Sequence, residues 1–185
     1  MDLRIFKTKR QIKDAFLKLR RQYMPERIKV KDICSLAMIN KTTFYKHYVD
    51  SYELSEEIDD NSVESVIEKF PEKTNFFKSP KAYVECLARA LECEAENLRI
   101  VYRGRIDVFC AKLEDKLKKF YDGAEQTAEK KYTLSFFIKG FVGILGERLF
   151  ISEDEKKDKK AFSEYINKHV ENVTQDGLLH GNKNT

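Results

Sequence analysis

Turn-forming residues are scarce along this chain, and their scarcity limits the folds that it can adopt. The 185 residues include 7 glycines and 3 prolines, whereas an all-β fold needs turn signals at short, regular intervals. Long uninterrupted helices are therefore favoured. Hydrophobic residues make up 42% of the chain and charged residues 36%, a balance typical of a globular protein with a heavily charged surface. We expect an all-α fold.

Basic residues concentrate at the N-terminal end of the chain. Residues 1–50 contain 13 Lys and Arg against 5 Asp and Glu, a net charge of +8, and the other 135 residues contain 22 against 26, a net charge of −4. This segregation favours a polyanionic partner at the basic end, because neutralisation of phosphates is the sequence-independent part of nucleic-acid binding. A basic surface that serves only solubility is the alternative.

Three short helices are predicted within the basic segment. Apolar residues recur at helical spacing over residues 8–23, and Pro25 then disfavours further helix. A second helix is predicted over 30–37 and a third over about 41–48, for which Asn40 is a suitable N-cap. Three helices with a tight turn between the second and third form the frame of a helix-turn-helix module.

The third predicted helix carries side chains suited to a nucleic acid. If Phe44 faces the core, the other faces of the helix hold hydroxyl and ammonium groups, on Lys41, Thr42, Thr43, Tyr45 and Lys46. Such groups can donate hydrogen bonds to phosphate oxygens or base edges, and the helix N-terminus adds a positive dipole. Asp50, with Glu53 three residues later, predicts a capped fourth helix directly after this segment.

The region from about residue 8 to residue 54 resembles the DNA-binding domain of the TetR family of bacterial transcriptional regulators. In that family a short helix leads through Ala-Gly-Val-Ser into a recognition helix containing Thr-Phe-Tyr. An aromatic-rich turn follows, and then a helix that opens with acidic residues and leucine. The matching residues here are Asp32-Ile33, Ala37, Lys41, Thr43-Phe44-Tyr45, His47-Tyr48 and Glu53-Leu54.

The chain departs from the family pattern at four positions. Met38 stands where the turn glycine is usual, although glycine takes a positive φ more easily. Asn40 replaces a common serine and can cap a helix equally well, and Thr42 replaces a common glycine. Ser51 stands where a phosphate-contacting lysine is typical, which predicts weaker or differently anchored phosphate contact.

The resemblance implies a role for individual residues of this segment. The implied contacts to base edges or to the nearby DNA backbone are Lys41, Thr42 and Thr43. Tyr45 and His47 are implied phosphate contacts, and Lys46 is a candidate substitute for the lysine missing at Ser51. Thr8 and Lys9, at the start of the first helix, are further candidate phosphate contacts. The alternatives are packing on the adjoining helix for Tyr45 and His47, and a solvated helix start for Thr8 and Lys9.

Residues 51–185 are predicted to form a second, helical domain, separate from the DNA-binding domain at residues 1–50. A connecting helix is predicted over 51–70, followed by a loop over 71–80. Further helices are predicted over about 81–96, 98–102, 106–120, 132–151 and 159–173. The resemblance implies that this bundle dimerises and holds a small-molecule effector.

The segment 132–151 is apolar almost all round. Lys139, Glu147 and Arg148 interrupt it, which argues against a membrane span and favours a buried helix that needs a partner. Three glycines spaced three residues apart would allow close backbone approach. We expect a dimer interface at Gly140, Gly143 and Gly146, joined by Phe162 and Ile166 of the last predicted helix. Packing within one chain is the alternative.

Aromatic residues of the second domain are candidate lining for an effector pocket. The candidates are Tyr83, Tyr102, Phe109, Phe136 and Phe137, and apolar lining is general to ligand sites. Ordinary core packing is the alternative for each of them. An apolar or flat ligand would suit such a lining.

Motifs for catalysis or metal binding are missing from the sequence. There is no nucleophile elbow, phosphate loop or HExxH pattern, so we expect neither an enzyme nor a cofactor. The cysteines lack CxxC spacing and the histidines lack metal-ligand spacing, so we expect reduced thiols and no metal; these residues are Cys34, Cys86, Cys93, Cys110, His47, His169 and His180. The N-terminus has no apolar targeting segment, which predicts a cytoplasmic location.

Together the charge distribution and the resemblance predict a DNA-binding regulator. The resemblance implies a homodimer whose two N-terminal modules bind the halves of an inverted repeat in double-stranded DNA. Repression is expected, because most members of the family repress. The alternative is a helical protein-interaction module that keeps the helix-turn-helix frame without specific DNA binding.

Overall fold

The structure is all-α across the residues that it describes, which confirms the predicted fold class. It is a computed structural model that describes residues 3–70, 76–119 and 127–151, together with residues 164, 165 and 168. Those residues form seven α-helices and one 3-10 helix, and no strand occurs among them. The helices are α1 (Leu3–Arg20), the 3-10 helix (Pro25–Arg27), α2 (Val30–Ala37), α3 (Lys41–Tyr45), α4 (Ser51–Glu68), α5 (Pro80–Val101), α6 (Ile106–Lys119) and α7 (Ala128–Ile151).

Several predicted helix boundaries were wrong. The first helix spans Leu3–Arg20 rather than residues 8–23, so Thr8 and Lys9 lie in its second turn and not at its start. The helix predicted over 132–151 begins four residues earlier, at Ala128. The third helix ends at Tyr45 rather than near residue 48, because the chain tightens there and the His47 N–H bonds to the Phe44 carbonyl, three residues back. The predicted break between residues 96 and 98 does not occur, since no glycine or proline interrupts α5 before Val101. Most of the predicted helix over 159–173 lies outside the described residues.

The chain divides into two compact units. Unit 1 comprises residues 1–62 and 96–104, and unit 2 comprises residues 63–95 and 105–185. Unit 1 therefore includes the start of α4 and the end of α5 in addition to the basic N-terminal segment. The boundary between a DNA-binding domain at residues 1–50 and a second domain at residues 51–185 stays a prediction.

Unit 1 is built around a small apolar core. Its centre consists of Ile12 and Phe16 of α1, Ile33 of α2, Phe44 of α3 and Leu54 of α4, all almost fully buried. Helix α1 packs on α2, and α2 packs on α3. Burial of these side chains is the main force that holds the short helices together.

The end of α5 is fastened to the end of α1 within unit 1. The Arg20 guanidinium is buried, and it donates to the carbonyl oxygens of Tyr23 at 3.0 Å and of Arg103 at 2.8 Å. In return, the Arg103 guanidinium donates to the Arg21 carbonyl. The Tyr102 hydroxyl donates to the Asp59 carbonyl of α4 at 2.8 Å. Residues 96–104 are therefore an integral part of unit 1.

Unit 2 contains an aromatic core and a packed pair of helices. The Phe76 ring lies 5.4 Å from that of Tyr83 and 4.7 Å from that of Phe137. Helix α6 packs on α7, and the buried Glu114 carboxylate of α6 accepts a hydrogen bond from the Ser135 hydroxyl of α7 at 2.6 Å. None of the described helices is both long and apolar enough to cross a membrane.

Candidate nucleic-acid interface

Helix α3 is short, and most of its surface is exposed to solvent. The Asn40 side chain caps it by accepting a hydrogen bond from the Thr43 N–H at 2.7 Å, as the sequence predicts. Phe44 is fully buried and is the residue that anchors the helix in unit 1. Thr43 and His47 are half-buried. The exposed residues of α3 and its C-cap are Lys41, Thr42, Tyr45 and Lys46.

The turn between α2 and α3 places a methionine in the left-handed region. Met38 has φ 54° and ψ 43° and terminates α2. Its N–H bonds to the Ser35 carbonyl at 3.3 Å, and the Ile39 N–H bonds to the Cys34 carbonyl at 3.0 Å. Helices that end with a residue in this left-handed conformation usually have glycine there. An L side chain in this region costs roughly 1–2 kcal/mol, yet the Met38 side chain is 93% exposed.

The start of α4 is occupied by its own acidic caps. The Asp50 carboxylate accepts hydrogen bonds from the N–H groups of Tyr52 and Glu53, both at 2.9 Å. The Glu53 carboxylate accepts one from the Val49 N–H, one residue before the cap. The predicted cap at Asp50 is confirmed, but the return bond from Glu53 goes to Val49 and not to the cap residue itself. With the half-buried Ser51 between Asp50 and Glu53, this helix start offers no cation to a phosphate.

Thr8 and Lys9 already have partners within the chain. The Thr8 hydroxyl donates to the Arg4 carbonyl at 2.9 Å. The Lys9 ammonium lies 3.3 Å from a Glu57 carboxylate oxygen and 5.0 Å from the centre of the Tyr48 ring. These contacts give both residues a structural role, so their proposed phosphate contacts would compete with bonds inside unit 1.

Glu57 of α4 is an electrostatic centre that sequence reasoning missed. Its other carboxylate oxygen lies 2.8 Å from the Lys13 ammonium. Partial burial opposes ionisation of Glu57, but hydrogen bonds from Lys13 and Lys9 prevail and lower its pKa. Burial, reinforced by the Glu57 charge, raises the pKa of the Tyr48 hydroxyl. No local pattern distinguishes Glu57 from the neighbouring Glu56, because its partners are far away in sequence.

The five candidate pocket residues lie in different surroundings. Tyr83 and Phe137 meet at Phe76 in the aromatic core of unit 2, and Phe109 is buried in the same unit. Tyr102 belongs to unit 1, where its hydroxyl is bonded to the Asp59 carbonyl. Phe136 is 73% exposed on α7. The other four residues are buried, whereas Phe136 faces outward on α7. A ligand pocket lined by the buried residues stays a prediction.

Helix α7 has a buried face and an exposed apolar face. The buried face comprises Leu134, Ile138, Phe141, Val142 and Leu145. The exposed face, at helical spacing, comprises Tyr132, Phe136, Gly140, Gly143 and Ile144, with the exposed Lys139 at its edge. Gly143 is half-buried. A Cβ atom at Gly140 or Gly143 would meet nothing within 4 Å, so packing against the described residues does not require glycine at either position. Gly146 is buried, and Phe162 and Ile166 lie outside the described residues.

Comparisons with known proteins do not assign this chain to a family. Neither the known families nor the curated proteins include a match to it. In the parts of the chain that the structure describes, no group of three or more His, Cys, Asp and Glu side chains could hold a metal ion. A functional assignment therefore depends on the geometry of the two surfaces on α3 and α7.

Proposed function

We propose that this protein is a TetR-like transcriptional regulator that binds an inverted-repeat operator as a homodimer and represses transcription. The observation that carries the proposal is the surface of α3. One buried residue, Phe44, anchors this helix, while Lys41, Thr42, Tyr45 and Lys46 remain exposed on it. A helix that offers hydroxyl and ammonium groups beside its own N-terminus has the chemistry to contact phosphates and base edges.

In this proposal α1, α2 and α3 form a helix-turn-helix module with α3 as the recognition helix. The packing of α1 on α2 and of α2 on α3 supports this arrangement, as does the tight turn at Met38 between the last two helices. Residues at the N-terminal end of a recognition helix contact the bases of the major groove. Lys41 and Thr42 hold that position, and Tyr45 and Lys46 are then placed toward the DNA backbone.

The dimer is proposed to form through the exposed apolar face of α7. One short helix in one major groove gives too few contacts for a unique site, and a two-fold dimer doubles them. Tyr132 and Phe136 are 76% and 73% exposed, and a second copy of the chain would remove their rings from water. The open space at Gly140 and Gly143 would let two α7 helices approach closely.

Dimerisation would fix the distance between the two recognition helices. Half-sites would then be separated by about 34–36 Å, one helical turn of DNA, or by a multiple of it. A small-molecule effector would release the operator by favouring a dimer state with another separation. Its effect could not exceed its difference in affinity for the two states. No catalytic step belongs to this proposal.

The decisive experiment is a binding titration of the full chain against duplexes selected from a random-sequence library. We expect the selected duplexes to share an inverted repeat and to bind roughly a thousandfold or more tightly than random duplex. The logarithm of the affinity should fall linearly with the logarithm of the salt concentration, and sedimentation should show a dimer. Equal affinity for selected and random duplexes would instead favour the protein-interaction module.

A further inference from the structure

Met38 has a left-handed backbone conformation while its side chain is almost fully exposed. It is the one non-glycine residue with a positive φ in the described parts of the chain. Glycine adopts this conformation readily, whereas the Cβ atom of an L residue crowds the following carbonyl oxygen. Because the side chain is 93% exposed, burial within the chain does not compensate for the strain. Uncompensated strain of this kind is a reason to look for a function of the side chain.

The position of Met38 relates it to the recognition surface. It lies three residues before Lys41 and two before the cap residue Asn40. Hydrogen bonds from the N–H groups of Met38 and Ile39 to the end of α2 hold the turn in place, so the direction in which the Met38 side chain leaves the backbone is fixed. An exposed apolar side chain is thereby held next to the helix end proposed to enter the major groove.

We propose that Met38 is a specificity-determining residue that contacts the methyl group of a thymine beside the bases read by Lys41 and Thr42. The inference rests on the proposed function. A methionine side chain has no hydrogen-bond donor for a phosphate, so its chemistry fits an apolar group rather than the DNA backbone. The thymine C5-methyl is the apolar feature displayed in the major groove. A flexible, polarisable thioether adapts well to such a contact.

The test combines two variants with a chemical change in the DNA. Met38→Gly removes the side chain and relieves the backbone strain, and Met38→Leu keeps an apolar side chain of similar size. The probes are the best duplex selected by the full-length wild-type protein and a set of copies in which each thymine in turn, with its symmetry mate, is replaced by deoxyuridine. Deoxyuridine lacks only the C5-methyl group, so base pairing is unchanged.

We expect one replacement to weaken wild-type binding by roughly fourfold per half-site, the value for burying one methyl group. Met38→Leu should keep this sensitivity. Met38→Gly should bind the unmodified duplex more weakly and lose the sensitivity at that thymine, while its thermal unfolding midpoint rises above that of the wild type. The higher midpoint would show that the weaker binding does not result from poorer folding.

Two different negative results separate this inference from the proposal on which it rests. If Met38→Gly binds the selected duplex with wild-type affinity and the same response to deoxyuridine, the role of Met38 is overturned and the regulator proposal stands. If the wild-type protein shows no preference for any duplex over random DNA, both proposals are overturned.

Discussion

Lys9 of α1 and Glu57 of α4 form an ion pair with 3.3 Å between the ammonium nitrogen and a carboxylate oxygen. Lys13, one helical turn after Lys9, binds the other oxygen of the same carboxylate at 2.8 Å. A single acidic residue thus neutralises part of the basic segment and ties α1 to the beginning of α4. Part of the N-terminal positive charge is therefore paired within the chain. Under the proposed function, the exposed Lys41 and Lys46 would supply more of the attraction to DNA.

Replacement of Glu57 by glutamine should destabilise unit 1 in a pH-dependent way. Because both ion pairs are partly exposed, we expect a loss of about 1 kcal/mol in the free energy of unfolding at neutral pH. The pKa of Glu57 is lowered in the folded state. Its stabilisation is therefore present above the ordinary glutamate pKa and disappears as the pH falls through the lowered value.

Urea unfolding of the wild type and Glu57→Gln across a pH series would measure this effect. Glu26→Gln, which changes an exposed carboxylate elsewhere in unit 1, is the matched control and should leave the stability unchanged. A difference between wild type and Glu57→Gln that stays constant down to strongly acidic pH would contradict the ion-pair explanation.

Removal of the Asn40 cap should lower the free energy of unfolding of the protein. The Asn40 side chain satisfies the Thr43 N–H of a five-residue helix, so Asn40→Ala should cost about 1 kcal/mol of unfolding free energy. Asn40→Ser and Asn40→Asp should stay close to the wild type, since serine and aspartate cap equally well. Chemical denaturation would test this order, and equal stability of the alanine and serine variants would rule out the cap as a stabilising contact.

Tyr45 and Lys46 should contribute DNA affinity without contributing sequence preference. Replacing both with alanine should weaken binding to selected and random duplexes alike. The slope of log affinity against log salt concentration should become shallower by about 1 per subunit. Sedimentation should show an unchanged dimer. Lys81→Ala, which removes an exposed lysine of α5, is the control for the loss of a positive charge. Unaltered affinity of the double variant at moderate salt would exclude contact of these side chains with phosphate.

A leucine at Gly143 should separate the proposed dimer without unfolding the chain. A Cβ atom at this position meets nothing within 4 Å, and leucine favours helix over glycine by roughly 1 kcal/mol, so the monomer should be at least as stable. We expect the monomer fraction in sedimentation equilibrium to increase. Ala82→Leu, on an exposed position of α5, should leave the association unchanged. A fully retained dimer with Gly143→Leu would remove this face from the interface.

Local signals predicted the parts of the structure that local chemistry determines. The caps at Asn40 and at Asp50 are confirmed, because a cap depends on residues only a few positions apart. The helical class followed equally from the scarcity of glycine and proline. Phe44, which was assumed to face the core, is fully buried.

Long-range pairings could not be predicted in the same way. Apolar spacing identifies Tyr102 and Phe136 as apolar positions, but it does not show that the first is buried in unit 1 and the second faces solvent. The attachment of Arg20 to Arg103 joins residues far apart in sequence. Periodicity reports which residues share a helix face, whereas the partner of that face is determined by the tertiary arrangement.

The two partners of the hydrogen bond between Arg20 and the Arg103 carbonyl are synthesised at very different times. Unit 1 includes residues 96–104, and these are synthesised only after the whole segment 63–95 has been added. The nascent N-terminal helices must therefore wait for a later part of the polypeptide before the Arg20 guanidinium acquires that acceptor. We therefore expect unit 1 to complete its packing only after residue 104 has been made, although its first residues are the first to be synthesised.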